Sequence, residues 1–332
     1  MTTKEKSPIK IPIKDFSRKI ICEGHLYLST KEGRKFYLMK PGVLVDPAFI
    51  KKHAPLNTSF DFTPVFDPAV KESFVNLFRE LKYLQFEKDM QKKCLEIVKH
   101  FQQVYSTPEH FLSFALACYQ EFCTIPFEMQ LKMHETDMHL FRKGIYSGAF
   151  AVITGMTNDF YHFLMIRDFY NLTFSLDMGL CDSNYSYYVA QGCNMENKFP
   201  GAGRAWLEQE HASELEISVF LKHPELTYQF LKKSDLLAYP ELAEIALYQH
   251  ELVGGNGFPR GLHKGQISSW EAVVLFADSL VEIIDEFTFD TSVIQYLLNF
   301  ESEKLKELPV GKVYKKLCNS IQHLVDLEKT GT

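Results

Sequence analysis

Two patterns of hydrophobic and polar positions divide the chain. Residues 8 to 45 alternate apolar and polar side chains and are rich in β-branched and aromatic residues, as in IKIPIKDF and HLYLST, which predicts short β-strands with a turn at Gly33. A short helix is predicted next, at DPAFIKKHA, with Asp46 as its N-cap and Pro47 at its first position. The chain therefore begins with a small β-rich unit.

From Asp67 onwards the apolar residues recur with a helical period. The first long helical run has one apolar stripe, made of Phe74, Leu77, Leu81 and Leu84. Further helices are predicted from residue 106 or 107, in DMHLFRKGIYSGAFAVITGM and DFYHFLMIRDFYNLTFSLDMG, around Glu208, and at Pro224 to Lys232, Pro240 to Glu251 and Ser268 to Asp285. Residues 181 to 206 show no clear period, and we expect a long connection there.

This pattern predicts a mainly α protein. We expect a small β-rich domain over residues 1–65, a helical connector over 66–129 and an all-helical C-terminal domain over 130–332. No internal repeat or low-complexity segment interrupts this order.

Composition narrows the classes of function. The 332 residues carry a net charge of −6, which argues against a surface for duplex nucleic acid. No apolar run approaches the ~20 residues of a membrane span, and the polar start MTTKEKSPIKIPIK lacks the apolar core of a signal peptide. The seven cysteines are scattered and form no Cys-x-x-Cys pair. We therefore expect a cytoplasmic protein with reduced thiols.

Five side chains on predicted helices or at helix ends are candidate metal ligands. They are His139, Asp177, His223, His250 and Asp278. The two aspartates lie in apolar settings, FSLDMGL and VVLFADSL, where a buried carboxylate needs a partner. Carboxylates and histidines on facing helices are how helix bundles build dinuclear metal sites. The alternative stays open, because a lone histidine on an apolar face is more often a hydrogen-bonded core residue, and a helical protein without metal fits the same pattern.

One stretch resembles a known family. Residues 249–262 read QHELVGGNGFPRGL, similar to the pattern His-His-Glu-x-x-Asp-Gly-x-Gly-Tyr-Pro of the HD-GYP family of metal phosphohydrolases. SLDMGL resembles the family's His-Asp-x-Gly-Lys signature, and LKHPELTYQFL and VVLFADSLVEI resemble its helices that carry the next metal ligands. HETDMHLFRKG resembles the first family helix, with Glu135 one turn before His139 on the same face. The resemblance covers roughly residues 130 to 290.

The resemblance implies an HD-type helical bundle that hydrolyses cyclic di-GMP with two divalent metal ions. Iron is favoured by the imidazole and carboxylate ligands, and manganese and zinc are the alternatives. Asp177 would bridge the metals, His139 and Asp278 would bind one, and His223 and His250 the other. Gln249 and Glu135 are further candidate ligands, and Asp177 and His250 are the candidate catalytic residues. The candidate substrate-binding residues are Gly255, Gly257, Phe258, Arg260 and Lys264.

The chain departs from the family pattern at several functional positions. Leu176 stands where the family has the histidine of its His-Asp pair, and Leu180 where it has the signature lysine. Gln249, Gly254 and Phe258 replace the family's first paired histidine, loop aspartate and tyrosine. Two hypotheses follow. The chain is a divergent metal phosphodiesterase acting on cyclic di-GMP or a related phosphoester, or it is an inactive relative that serves as a signalling or interaction module, with a signalling protein or a second copy as its partner.

Overall fold

The structure is a computed structural model. It describes residues 8–12, 21–29, 34–46, 48, 51–52, 59–104, 107–181, 185–263, 267–279 and 310–319. The predicted turn at Gly33, most of the predicted helix after Asp46, Lys264 and the continuation of the last predicted helix to Asp285 lie outside these residues.

A four-stranded antiparallel sheet forms the N-terminal part. Its strands are β1 (Ile9–Pro12), β2 (Gly24–Ser29), β3 (Lys35–Met39) and β4 (Ser59–Pro64), in the order β1-β4-β2-β3. Leu26 pairs with Phe62 in the centre, and both side chains are buried in the sheet's own apolar cluster. β4, over the alternating stretch SFDFTP, was not among the strands predicted from the sequence.

Helices make up most of the remaining described chain. They are α1 (Pro68–Tyr83), α2 (Glu87–Val104), α3 (Pro108–Phe122), α4 (Phe127–Thr136), α5 (Met138–Thr157), α6 (Phe163–Phe174), α7 (Tyr187–Lys198), α8 (Gly203–Gln209), α9 (Glu214–Lys233) and α10 (Ser269–Ser279). Two 3-10 helices, Leu176–Leu180 and Pro240–Tyr248, and a helix over 311–319 complete them. The prediction of a mainly α protein with a small N-terminal β part is confirmed.

A cluster rich in phenylalanine joins the helices. Its fully buried rings include Phe74, Phe78, Phe111, Phe114 and Phe122. The same apolar cluster extends from Ile21 before β2 to Leu317 in the last helix. It passes through both the predicted connector and the predicted C-terminal domain, and the domain boundaries at 65 and 129 stay predictions.

Two helix predictions near the centre of the chain were wrong. Residues 181–206 are not an irregular connection, because they contain α7 and α8. Short helices joined by a turn bury small surfaces, so their apolar period is weak. Pro224 does not begin a helix either, since it lies inside α9, which starts eleven residues earlier at the capping box of Ser213 and Glu216.

The first family-like helix is also different from the prediction. Glu135 and His139 were expected on one helical face, but α4 ends at Thr136 and a new helix begins after Asp137. Asp137 has an extended backbone, with φ −158° and ψ 120°, and its side chain accepts a hydrogen bond from the amide of His139. The N-cap therefore separates the two residues onto different helices.

None of the described helices is long and apolar enough to cross a membrane.

Candidate functional site

Five separate elements bring polar side chains into one buried cluster in the helical part. The side chains are Lys143 from α5, Asp177 from the first 3-10 helix, His223 from α9, Gln249 and His250 after the second 3-10 helix, and Asp278 from α10. Four of the five candidate ligands singled out in the sequence, together with Gln249, are thus neighbours in space.

Lys143 lies at the centre of this cluster. Its Nζ is 2.7 Å from Oδ2 of Asp177 and 2.9 Å from Oδ1 of Asp278. The side chains of the two aspartates are only 7% and 6% exposed, and that of Lys143 is 14% exposed. A buried carboxylate is costly unless a cation or donor compensates it, and here one ammonium compensates two.

Gln249 completes the hydrogen bonding of the carboxylates. Its Nε2 donates to Oδ1 of Asp177 at 2.9 Å and to Oδ2 of Asp278 at 3.4 Å. Because a carboxylate oxygen can only accept, these contacts orient the amide nitrogen towards the aspartates. Gln249 therefore acts as a neutral bridge between the two acids.

The two histidines bind each other. Pro224 has no N–H, so the carbonyl of Phe220, four residues earlier in α9, lacks its usual helical donor. Nδ1 of His223 lies 2.5 Å from this carbonyl oxygen and must donate to it. Nε2 of neutral His223 is then an acceptor, and it lies 3.0 Å from Nε2 of His250. His250 must donate that proton, so the two rings form a directed hydrogen bond.

Burial and charge fix the protonation states. Burial lowers the pKa of His223 to about 4 and that of His250 well below its ordinary value, so both rings are neutral at pH 7. Burial alone would lower the pKa of Lys143, but Asp177 and Asp278 raise it. Lys143 therefore stays an ammonium ion.

The two carboxyl groups are not equivalent. Burial would raise the pKa of Asp177, but the Lys143 ammonium and the hydrogen bond from Gln249 hold it below its ordinary value. For Asp278, burial outweighs Lys143 and the pKa is raised. Asp177 is therefore the firmly ionised partner of Lys143.

The remaining predicted ligands are placed differently. His139 is exposed, four residues before Lys143 on α5, and Glu135 is exposed on α4. The side chain that α5 directs to the carboxylates is thus Lys143, one helical turn after the expected histidine. The expected ligand His139 and the observed contact residue Lys143 thus lie on the same helix, one turn apart.

A glycine lets the Asp177 segment approach α9. A Cβ built on Gly179 would lie 2.1 Å from the backbone oxygen of His223. The amide of Gly179 donates to Oγ1 of Thr227 at 2.9 Å, and that hydroxyl donates to the carbonyl of Leu176 at 2.7 Å. Only glycine allows this contact, which sets the position of Asp177 beside His223.

The glycine loop is held from inside by Glu251. This side chain is fully buried, and its two oxygens accept from the amides of Arg260 at 2.7 Å and Leu262 at 2.6 Å. Gly255 has φ 74°, as expected for the loop. Gly257 is required for another reason, since its Cβ would lie 2.3 Å from the backbone oxygen of His250.

Two loop residues expected to bind substrate have partners within the protein. The ring of Phe258 stacks on His250, with centroids 4.6 Å apart, and packs on Phe220 at 5.1 Å. The exposed Arg260 lies over the ring of Tyr248, 5.8 Å from its centroid. Phe258 therefore covers the histidine pair.

The cluster opens onto a very small cavity. Its volume is about 30 Å³, and Gln249, His250 and Asp278 contribute to its walls. Glu196 at the end of α7 and Pro200 in the turn before α8 also line it. A cavity of this size holds about one or two waters, whereas pockets for small-molecule ligands are roughly 300–1,000 Å³.

The α7–α8 segment is rigidly built around Glu196. This buried carboxylate accepts from the amides of Gly201 at 2.7 Å and Gly203 at 2.9 Å. On the other side, Leu252 lies close to Gly201, 3.1 Å from where a Cβ would be. The segment therefore lies against the cavity, with Glu196 and Pro200 in its lining.

The residues present do not fit the dinuclear metal centre that the family resemblance implies. An ammonium ion has no lone pair to offer a metal, and it already contacts both aspartates. A dication bound to the same oxygens at about 2.0–2.2 Å would be repelled by that ammonium. No group of three or more His, Cys, Asp or Glu residues in the described part of the chain is arranged to hold a metal ion.

Four residues that shape this site were given no role in it from the sequence. Lys143 could have been noticed as a charge inside the apolar run of α5, and Pro224 as a break in helical hydrogen bonding next to His223. Glu251 stands in the family-like motif and was not given a role. Glu196 had no signal, because its segment was expected to be irregular.

Comparisons with known proteins give one match. No protein-family model and no curated protein matches the sequence. Among solved structures, the chain is similar to Bd1817, an HDG"Y"P protein from Bdellovibrio bacteriovorus, over 95% of this chain and 99% of that chain. The identity is 11% and the TM-score 0.39, so the match transfers no residue roles.

Proposed function

We propose that this protein is a non-hydrolytic HD-GYP-like module that serves signalling or interaction. The observation that carries this proposal is the small size of the cavity beside the cluster, about 30 Å³, which is lined by Glu196, Pro200, Gln249, His250 and Asp278. A cyclic dinucleotide needs a pocket at least ten times larger.

The loss of phosphate-binding groups supports the same proposal. Leu180 is fully buried and cannot contact a phosphate, although the family has a lysine there. Phe258 has no hydroxyl and is stacked on His250. Electrostatic stabilisation by fixed charges is usually the largest contribution to catalysis of this kind. Without such charges, a bound phosphodiester would gain little transition-state stabilisation.

Cyclic di-GMP hydrolysis at a dinuclear iron centre is the second candidate. It is favoured by the meeting of Asp177, His223, His250 and Asp278 in one cluster. That chemistry would need metal-bound hydroxide, and Lys143 occupies the space between the two carboxylates. The first proposal therefore accounts for more of the geometry.

Incubation of the full chain with cyclic di-GMP and Fe²⁺ or Mn²⁺ under anaerobic conditions tests the choice. We expect no linear dinucleotide by chromatography and no binding heat by calorimetry. Turnover that Asp177→Asn abolishes, and that Glu244→Gln on the exposed side of the second 3-10 helix leaves unchanged, would overturn the proposal.

The role of the N-terminal part remains a proposal too. Lys71 of α1 forms an ion pair with Glu23, and Nη2 of Arg142 in α5 donates to the carbonyl of Pro41 at 3.2 Å. These contacts tie the sheet to the helices, which suits a regulatory or dimerising unit. We propose a cytoplasmic protein whose partner is a signalling protein or a second copy of the chain.

A further inference from the structure

We infer that Lys143 takes the place of a metal ion, so that the site carries a built-in cation. Its ammonium and the carboxylates of Asp177 and Asp278 form the charged centre of the cluster. The inference rests on the proposed non-hydrolytic function and deepens it. Lys143 holds Asp177, Asp278 and the histidine pair together when no metal is bound. A site for one divalent cation forms only when the Lys143 ammonium is removed.

The charge balance supports this role. Two buried carboxylates on different elements would repel each other across the cluster if nothing lay between them. A metal-binding protein solves this problem with an external dication. Here Lys143 supplies the positive charge from α5, and it contacts one oxygen of each carboxylate, at 2.7 Å and 2.9 Å.

The other carboxylate oxygens are satisfied without a metal. Oδ1 of Asp177 and Oδ2 of Asp278 both face Nε2 of Gln249. A glutamine provides two N–H donors here, whereas a neutral imidazole would provide only one. Gln249 is thus matched to Lys143: the amide donates to one oxygen of each carboxylate, and the ammonium donates to Oδ2 of Asp177 and forms an ion pair with Oδ1 of Asp278.

The lysine is held in place by its helix. The neighbouring residues Phe141, Arg142 and Gly144 are all buried in the packing of α5. The carbonyl of Lys143 accepts a hydrogen bond from Oγ of the buried Ser147 at 2.8 Å. The packing of α5 therefore fixes the backbone from which the Lys143 side chain reaches the two carboxylates.

Removing the ammonium should therefore create a cation site. In Lys143→Met, an unbranched chain only one atom shorter is kept and the charge is lost, so Asp177, Asp278 and the histidine pair face an uncompensated centre. We expect this variant to unfold at a lower temperature than the parent. Mn²⁺ or Zn²⁺ should raise its midpoint towards that of the parent and bind at one ion per chain.

The matched control is Lys143→Met/Asp278→Asn. It keeps the same methionine but removes one carboxylate, so less charge remains to attract a cation. We expect this double variant to be more stable than Lys143→Met without metal and to respond less to Mn²⁺ or Zn²⁺. The parent chain should show no metal-induced shift.

The experiment is differential scanning fluorimetry of the three full-length chains with and without MnCl₂ or ZnCl₂, followed by metal analysis after desalting. If Lys143→Met does not stay folded, the yield of folded protein after refolding with and without MnCl₂ is measured in place of the melting temperature. Metal-dependent recovery supports the inference. An equal metal response in the parent and the variant overturns it, as does a variant that is as stable as the parent and unaffected by metal.

The two proposals fail separately. Hydrolysis of cyclic di-GMP by the parent would overturn the proposed function whatever the variants do. A Lys143→Met chain that ignores metal would overturn only the built-in cation, because the small cavity and the absent phosphate-binding groups do not depend on Lys143.

Discussion

At the scale of single residues, Pro224 decides the state of the histidine pair. A proline inside α9 leaves the carbonyl of Phe220 without its helical donor, and His223 supplies that donor from its own ring. The proton on Nδ1 leaves Nε2 free to accept from His250. One proline therefore orders two imidazoles, which become a hydrogen-bonded core pair.

The histidine pair predicts a loss of stability in mild acid. The folded pKa of His223 is about 4, and that of His250 is also lowered by burial, against about 6.5 for an unfolded histidine. Between pH 6.5 and 4 the unfolded state binds more protons, so the free energy of unfolding rises with pH and falls on acidification. Each imidazole contributes about 1.4 kcal/mol per pH unit at most.

Urea unfolding across this pH range measures the effect. His250→Phe should show a shallower slope than the parent, since one lowered imidazole is removed while His25, His100, His134 and His223 keep theirs. Asp177 contributes little to this slope, because its pKa is lowered and its stabilising effect is lost only below about pH 4. Asp278 and Glu196, whose pKa burial raises, act with the opposite sign, and both are present in the parent and the variant. A free energy of unfolding that stays constant from pH 6.5 to 4 would contradict neutral, buried histidines.

Gly179 predicts a second effect at this scale. In Gly179→Ala the new Cβ would lie 2.1 Å from the backbone oxygen of His223, and backbone cannot move aside cheaply. We expect a loss of about 1–3 kcal/mol in the free energy of unfolding. Gly311→Ala is the control, because no atom lies within 4 Å of its Cβ position. Equal urea midpoints for the two variants would argue against the close approach.

At the scale of elements, the glycine loop is organised by Glu251 and not by a ligand. Both carboxylate oxygens are used by loop amides, and Phe258 closes over His250. The loop thus has a complete set of internal contacts. It can be stable without substrate or metal, which agrees with a site that has become structural.

Removing this carboxylate should loosen the loop. In Glu251→Ala the amides of Arg260 and Leu262 lose their acceptors, so their hydrogen exchange should become faster while α9 keeps its protection. Glu244→Ala, on an exposed position of the second 3-10 helix, is the matched control. Unchanged exchange at both amides in Glu251→Ala would show that other contacts hold the loop.

Element prediction succeeded where the apolar period was long and failed where it was short. The buried stripe of α1 and the long run of α5 were visible from the sequence. The seven-residue α8 and the turn before it were not, since the two amides that bind Glu196 carry no side-chain signal. Asp137 was missed as a helix break because its capping role depends on an extended backbone.

At the scale of the whole molecule, four of the five candidate metal ligands lie together, and an ammonium ion lies between the two carboxylates. The sequence was sufficient to bring Asp177, His223, His250 and Asp278 together, because their flanking motifs could be matched. The α5 side chain that contacts the carboxylates is Lys143, one helical turn after the expected ligand His139, which is exposed. Lys143 was not predicted, because the apolar face of a helix stays the same when the register shifts by one turn.

Helices α7 and α8 also shape the surroundings of the cluster. They occupy the long connection between Asp177 and His223 and leave about 30 Å³ next to the cluster. A site that is lined by Glu196 and charge-balanced by Lys143 is stable as part of the core. The helical part therefore holds these side chains together, with Lys143 balancing the charge of the two carboxylates.

The most direct test is the metal content of the full-length protein, purified without oxygen and without chelator. The built-in Lys143 cation and the small cavity predict no stoichiometric iron, manganese or zinc in the parent chain. About two metal ions per chain, lost in both Asp177→Ala and His250→Ala, would establish a dinuclear centre and contradict the account.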